Sequence, residues 1–266
     1  MIATTQISYS KGLLLSGVRA EQAMRAEIQG FLDKMLFHPI KYENIPPENR
    51  GLILNSLTGY KDRIGQPTGK ARVFVDGSKQ LPEIVGDSYC PVARVESMFF
   101  VLGVAAHRGW KIMSFDVNQA YTRVPRPAND PYRFVKLSKD ITAVVVGLAP
   151  QMCEYETPRG NLYTEMDMMI YGDKKAGLLW FNVIMKVYTD MGFTINKADP
   201  CVIHYTSAKG TVHGAVTVDD TLFAYSSKEV LEEVEAAYVA AFGIDGFTSE
   251  KGNEFVHLGM LISQFG

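Results

Sequence analysis

The chain is short of cysteine, of long apolar runs and of net charge, and each shortage narrows what it can be. Cys90, Cys153 and Cys201 are odd in number and widely spaced, with no CxxC pair. That excludes a zinc knuckle and fits a reducing compartment. The five histidines lack metal-ligand spacing. His204 and His213 can face each other across a hairpin, but core or surface histidines are the plainer reading. No run approaches the length needed to span a bilayer. The Leu13-Leu14-Leu15 patch after Lys11 is too short for a signal-peptide core. Glycine and proline are scattered, and neither a repeat nor a low-complexity tract is present. A formal net charge of −2 and a pI near 6.2 are not those of a general nucleic-acid binder, so any such contact needs a local basic surface.

What is present suffices for a full core: 266 residues, 47% of them hydrophobic, in one large domain or two small ones. Five basic residues (Lys61, Arg63, Lys70, Arg72, Lys79) fall between Tyr60 and Gln80 against two aspartates, which reads either as a solvated loop or as a local basic surface. Residues 1–19 read as a weakly structured leader. Apolar residues from Ala23 to Leu36 recur at helical spacing over 20–37. A strand–turn–strand is expected over 50–77, turning at Gly65-Gln66-Pro67 and Gly69. Pro91 opens a helix to about His107 with Val92, Val95, Phe99, Leu102 and Ala106 as its apolar stripe. Strands are expected at 110–117, 132–137, 201–205, 212–218, 221–225 and 255–262. Helices are expected at 139–149, 173–191 and 228–242. Helices and antiparallel strands interleave without βαβ alternation, which points to an α+β fold.

Two signals carry chemistry. In Val218-Asp219-Asp220-Thr221, two adjacent carboxylates interrupt an apolar run. Neighbouring strand residues point to opposite faces, so a straight buried strand would bury one of them. A tight hairpin with the pair at its tip avoids that cost, and a structural Asp-containing turn is the competing explanation. The second signal is Asp116, which ends a strand whose Met113, Phe115 and Val117 share the core face. Its competing role is a helix N-cap. Taken together, one strand-end carboxylate and a distant carboxylate pair can converge on a pair of divalent cations.

Ordered blocks stand along the chain: Ala23–Ile28, Lys70-Ala71-Arg72-Val73 with Gly77 and Gln80, Pro91-Val92-Ala93-Arg94, and Asp116–Tyr121. Then come Ile170-Tyr171-Gly172 with Lys174, Ala176 and Trp180-Phe181, followed by Asp199-Pro200-Cys201, Val218-Asp219-Asp220, and His257-Leu258-Gly259 with Ile262. In this order they resemble the blocks of Ty1/copia-type retrotransposon reverse transcriptases, and the resemblance covers about Ala20 to Ile262. It implies a right-hand polymerase fold of fingers and palm without a thumb, residues 20–266, with an antiparallel palm sheet backed by helices. It further implies RNA-directed DNA synthesis, transferring dNMP to a primer 3′ end. Asp116, Asp219 and Asp220 would be catalytic and, with the Val117 carbonyl, would hold Mg²⁺ or Mn²⁺. Lys70 and Arg72 would grip the incoming triphosphate, Gln119 and Ala120 would line the nucleotide pocket, and Tyr121 would be the sugar gate. Trp180 reads as helix packing rather than a base-stacking platform.

Three positions depart from the family pattern: Thr217 stands for the usual Tyr, Lys175 for a Gln beside the nucleotide, and Asp173 for a Leu. Residues 138–160 are longer than the usual connection. The implied partners are an RNA or DNA template with primer and dNTPs, with no membrane. Thumb and RNase H domains of a longer polyprotein, or a second subunit, would complete the primer-holding surface. The lineage implies a cytoplasmic virus-like particle, or the nucleus for a derived protein. The principal alternative is a retroelement-derived, non-catalytic nucleic-acid-binding or assembly module. A hydrolase built on Gly86-Asp87-Ser88 lacks both Gly-x-Ser-x-Gly and an Asp-x-x-His partner.

Overall fold

Alternation along Lys70–Val75 sends Ala71, Val73 and Val75 into a core and leaves Lys70, Arg72 and Phe74 on the other face. That strand belongs to one of two units into which the computed structural model divides, with residues 6–62 and 69–264 described. The first unit holds the chain up to Ser88 together with Tyr121–Ala176; the second holds Tyr89–Ala120 and Gly177 onward.

The first unit is built on a five-stranded sheet in the order β1-β6-β5-β2-β3. Its strands are β1 (His38–Ile40), β2 (Leu54–Lys61), β3 (Lys70–Val75), β5 (Phe134–Leu137) and β6 (Leu162–Glu165). Only the β2–β5 pair is parallel. Its helices are α1 (Tyr9–Ser16), α2 (Val18–Asp33), the single turns α3 (Pro47–Arg50) and α4 (Pro82–Val85), and α6 (Lys139–Leu148). Met24, Ile28 and Phe31 of α2 join Val73, Val135, Leu137, Ile141 and Val145 in one core. The expected leader contains a packed helix: Tyr9 of α1 is buried, and a Cβ on Gly12 would lie 2.6 Å from the buried Tyr60 ring. The second helix stops short of the expected Phe37, because Met35 takes φ +52 and is exposed while Leu36 turns into the core. The expected turn at Gly65-Gln66-Pro67, with Arg63, lies outside the described residues.

In the second unit a six-stranded antiparallel sheet runs in the order β11-β4-β10-β9-β8-β7. Its strands are β4 (Lys111–Val117), β7 (Thr194–Ile195), β8 (Val202–Ser207), β9 (Gly210–Thr217), β10 (Asp220–Tyr225) and β11 (Phe247–Lys251). A separate hairpin joins β12 (Glu254–His257) to β13 (Met260–Ser263). The helices are α5 (Val95–Arg108), α7 (Ala176–Asp190) and α8 (Lys228–Phe242). Two expectations are corrected here. Residues 255–262 are not one strand but the hairpin that the family resemblance at His257-Leu258-Gly259 implies, since Leu258 and Gly259 both have positive φ, as a two-residue primed turn requires. The buried stripe of α5 is Met98, Val101 and Ala105, while Val92, Val95 and Phe99 are exposed. Both stripes are apolar, so periodicity alone could not choose between them. The helix also begins at Val95, after an extended Arg94, and residues 91–94 carry no helix.

In the first unit, backbone is packed against backbone at the end of β3. A Cβ at Gly77 would lie 2.0 Å from the Gly172 carbonyl oxygen, and one at Gly172 would lie 2.2 Å from that of Val75. The Val75 N–H donates to the Tyr171 carbonyl at 2.8 Å. The buried Gln80 accepts the Lys174 N–H at 2.8 Å on its side chain and the Lys174 Nζ at 2.7 Å on its carbonyl. These motif residues therefore clamp the 170–174 segment onto β3. Gly172→Ala, at φ +88 and in collision with a carbonyl, is expected to cost about 1–3 kcal/mol for overpacking, with the backbone conformation adding to it. Gly86→Ala, at φ +67 with open space around it, should cost less. Urea unfolding of both variants measures the difference, and equal costs would remove the clamp.

Candidate active site

The expected hairpin tip is present and is tighter than a strand pair requires. Thr217 pairs with Asp220, leaving Val218 and Asp219 as the two central residues of the β9–β10 turn. Val218 takes φ +57, which primed hairpin turns normally assign to glycine. For a β-branched residue this conformation stores about 1–3 kcal/mol of strain. Two hydrogen bonds hold it in place. The buried Trp180 donates its indole N–H to the Val218 carbonyl at 2.7 Å, and the Val117 N–H donates to the Asp219 carbonyl at 3.0 Å. Trp180 is thus a buried packing residue of α7 with a second task, the anchoring of this turn.

The same register sets Asp220 directly opposite Asp116 across the β10–β4 pair. Opposed residues of an antiparallel pair share a face, and two carboxylates there repel unless a cation intervenes. Asp116, Asp219 and Asp220 are all half-buried. Among the described residues, no group of three or more His, Cys, Asp or Glu side chains stands close enough to enclose a metal ion. Asp116, Asp219 and Asp220 therefore share one strand end without closing into such a group.

Buried groups fix the sheet beneath this end. Phe115 meets Phe223, Tyr238 and Phe247 with ring centroids 5.5, 4.5 and 5.1 Å apart. The Tyr188 hydroxyl bonds Thr221 at 2.7 Å and also meets the Tyr238 hydroxyl. Burial pushes both phenols well up, keeping them neutral. On β4, the Ser114 hydroxyl meets His257 Nδ1 of β12 at 2.7 Å, tying that hairpin to the strand that carries Asp116. Burial lowers the pKa of His257. Asp199 joins two motif blocks: it accepts the Arg94 N–H at 3.4 Å, the Ser97 hydroxyl at 2.5 Å and the Cys201 N–H at 2.9 Å. Burial acts to raise its pKa, but these hydrogen bonds outweigh that and hold the carboxyl below its usual range.

Gln119 and Ala120 follow β4 in the second unit; Gln119 is left-handed at φ +52, and Ala120 is buried. The other residues expected at a nucleotide belong to the first unit. There the Arg72 guanidinium lies 5.0 Å from the Tyr171 ring centroid, and Tyr121 meets the same ring edge-on at 5.0 Å. Lys70 sits directly opposite Lys61 across β2–β3, two positions from Arg72. Like charges in that register repel, and an anion between them relieves the repulsion. Lys175 is half-buried, and its N–H donates to Asp173 at 3.0 Å. Sequence reasoning missed the buried Arg126, which bonds Asp130 at 2.6 Å and Asp173 at 2.9 Å. Asp173, in place of the usual Leu, is thus the partner of a buried cation. The i,i+4 spacing of Arg126 and Asp130 was the one available signal.

A family model described as "Reverse transcriptase (RNA-dependent DNA polymerase)" matches residues 54–264. The chain belongs to the reverse transcriptase family. Relatives bear out the resemblance to retrotransposon enzymes. The Retrovirus-related Pol polyprotein from transposon RE1 of Arabidopsis thaliana is 27% identical over 154 residues, covering 58% of this chain and 9% of that protein. The corresponding polyprotein from transposon RE2 of the same plant is 24% identical over 177 residues, 66% of this chain and 11% of that one. The chain thus spans about a tenth of the length of these curated relatives. Among solved structures, the Prototype Foamy Virus Protease-Reverse Transcriptase superposes with a TM-score of 0.50 at 13% identity, covering 93% of this chain and 26% of that one. The α+β fold is that of polymerase fingers and palm, and the antiparallel sheet of the second unit is the palm sheet.

Trp180→Phe keeps an aromatic ring in this reverse transcriptase palm but leaves the Val218 carbonyl without its donor. A loss of about 1–3 kcal/mol in unfolding free energy is expected, with faster hydrogen exchange at the Val117 amide. Unchanged stability and exchange would show that the turn holds itself.

Proposed function

We propose that the chain carries the nucleotidyl-transfer centre of an RNA-directed DNA polymerase. The bond formed joins the primer 3′ oxygen to the α-phosphorus of a dNTP, and the bond broken releases pyrophosphate. The observation that carries this reading is the β4–β10 register, which sets Asp116 against Asp220 at the end of two strands with Asp219 on the adjoining turn. Carboxylates opposed at a strand rim repel each other, and a bound cation relieves that repulsion.

The donor set fits Mg²⁺ or Mn²⁺. Mg²⁺ favours hard oxygen ligands and is commonly held by one or two carboxylates with water and substrate phosphates, rather than by an all-protein cage. An open acidic strand end is therefore the appropriate form. Asp116, Asp219 and Asp220, with the Val117 carbonyl, would hold the ions. A bound pair would stabilise the attacking and leaving oxygens of an in-line displacement.

The remaining roles belong to the chain's own side chains. Lys70 and Arg72 present cations from one face of β3, and Arg72 offers a planar fork suited to phosphate oxygens. The opposed Lys61 adds a further positive charge to the same stripe. Gln119 and Ala120 contribute backbone to the nucleotide pocket, and Lys175 supplies a cation where the family has an amide. Tyr121 is the gate against a ribose 2′-hydroxyl, its ring braced edge-on by Tyr171. Template and primer are the polymeric partners, and the polyprotein context of the relatives supports further domains acting with this one.

Primer extension on RNA and DNA templates with Mg²⁺ or Mn²⁺, beside Asp219→Asn, tests the reading. Extension by wild type that falls at least about a hundredfold in the variant is the expected result. Extension unchanged by Asp219→Asn removes that residue from the mechanism. A folded wild type that binds primer–template yet never extends it favours the non-catalytic binding module.

A further inference from the structure

Away from the carboxylates, the second unit holds a pair of imidazoles that the proposed polymerase chemistry does not use. His204 of β8 and His213 of β9 are direct cross-strand partners, so their side chains share a face. Their Nδ1 atoms are 3.2 Å apart and their ring centroids 4.6 Å apart, at an interplanar angle of 33°. Both residues are half-buried.

We propose that His204 and His213 form a two-histidine site for a divalent transition-metal cation of the nickel, copper or zinc class. Imidazole nitrogens bind such ions at about 2.0–2.1 Å. Two nitrogens 3.2 Å apart would then subtend an angle of about 100° at a shared ion, between the square-planar and tetrahedral values. The pair is already arranged as a chelate, and only modest ring rotation is needed to aim both lone pairs at one point.

Proton accounting supports the same conclusion. An Nδ1···Nδ1 contact needs one ring to donate and the other to accept, so the pair shares a single proton at that position. A cation that takes both Nδ1 lone pairs moves that proton to Nε2 of the same ring, a tautomer shift, and releases a proton only where a ring was charged beforehand. The groups around His213 favour its neutral, ligating form. Burial, His204 and Arg108, in that order, hold the pKa of His213 below its usual value. Trp110 stacks on the His213 ring with centroids 5.5 Å apart at 18°, and Phe100 of α5 meets the ring edge-on at 6.3 Å. The Thr206 hydroxyl lies 3.2 Å from His204 Nε2 and fixes that ring by its second nitrogen, as outer partners of metal-ligating histidines do. Arg108 opposes a cation, but its guanidinium lies over the Trp110 ring, 5.8 Å from the centroid. Water completes the coordination on the exposed side. Neutral nitrogen donors discriminate against Mg²⁺, so this site and the carboxylates draw on different ions.

The test is a Ni²⁺ titration by calorimetry on tag-free protein at pH 7.5 with Mg²⁺ in excess to occupy the carboxylates. One equivalent is expected to bind, with an affinity at least about tenfold lower in His204→Ala and in His213→Ala. Binding should weaken as the pH falls, because protonation of an imidazole removes a ligating lone pair. One equivalent of Cu²⁺ should quench the Trp110 contribution to fluorescence, and His204→Gln, at a half-exposed position, should abolish the quenching without unfolding the chain. His38→Ala should change nothing. The proposal is overturned if the folded wild type takes up no equivalent of Ni²⁺, or if the double variant His204→Ala/His213→Ala binds it as tightly as wild type. It stands or falls independently of the polymerase reading.

Discussion

The pairing of β10 with β4 fixes the position of both ends of the proposed catalytic constellation. A slip of one residue would send Asp220 to the opposite face and separate it from Asp116. Register is secured from the core outward: Phe115 and Phe223 pack with Tyr188 and Tyr238, and Thr221 bonds the Tyr188 hydroxyl. At the rim, the strained Val218 turn is held by Trp180 and by the Val117 amide. Strain of about 1–3 kcal/mol persists at such a turn only where the surroundings over-determine it, and here an indole from a separate helix contributes that determination. The acidic tip is thus a rigid projection of a buried sheet rather than a flexible loop that happens to carry two aspartates.

The first unit follows the same logic with backbone in place of side chains. Gly77 and Gly172 allow contacts that any Cβ would block, and Gln80 and the Arg126–Asp173 pair complete the clamp on the segment that bears Lys175. A buried ion pair of this kind is weak evidence for net stability, but loss of one partner would leave an uncompensated charge. Asp173 in place of an apolar residue is therefore matched to Arg126, and the two positions are best regarded as a unit.

Much of this was legible in the sequence because local and global signals agreed. Lys228–Phe242 reads as a helix from its amphipathic pattern, and the structure returns the same bounds. The Asp219-Asp220 hairpin followed from the cost of burying a carboxylate on a straight strand. What could not be read depended on distant partners. The apolar residues on both sides of α5 set no phase, so periodicity cannot tell the exposed stripe from the buried one. The polar strand Phe247–Lys251 has no alternation and exists because β4 offers it an edge. Helix α1 is held by Tyr60, some fifty residues away in sequence, and the indole bond of Trp180 to Val218 has no local signature. The histidine pair lay between the two cases: a facing arrangement was foreseeable from the hairpin, but the approach of the two nitrogens to 3.2 Å was not.

The central claim is that the opposed carboxylates at the β4–β10 rim are there to hold divalent cations. Thermal unfolding of wild type and Asp116→Asn, each with chelator and with Mn²⁺, tests it directly. Without metal, Asp116→Asn should be at least as stable as wild type, because it removes a like-charge opposition. Mn²⁺ should raise the Tm of wild type and leave that of the variant nearly unchanged. An equal Mn²⁺-dependent rise in both proteins would contradict the account.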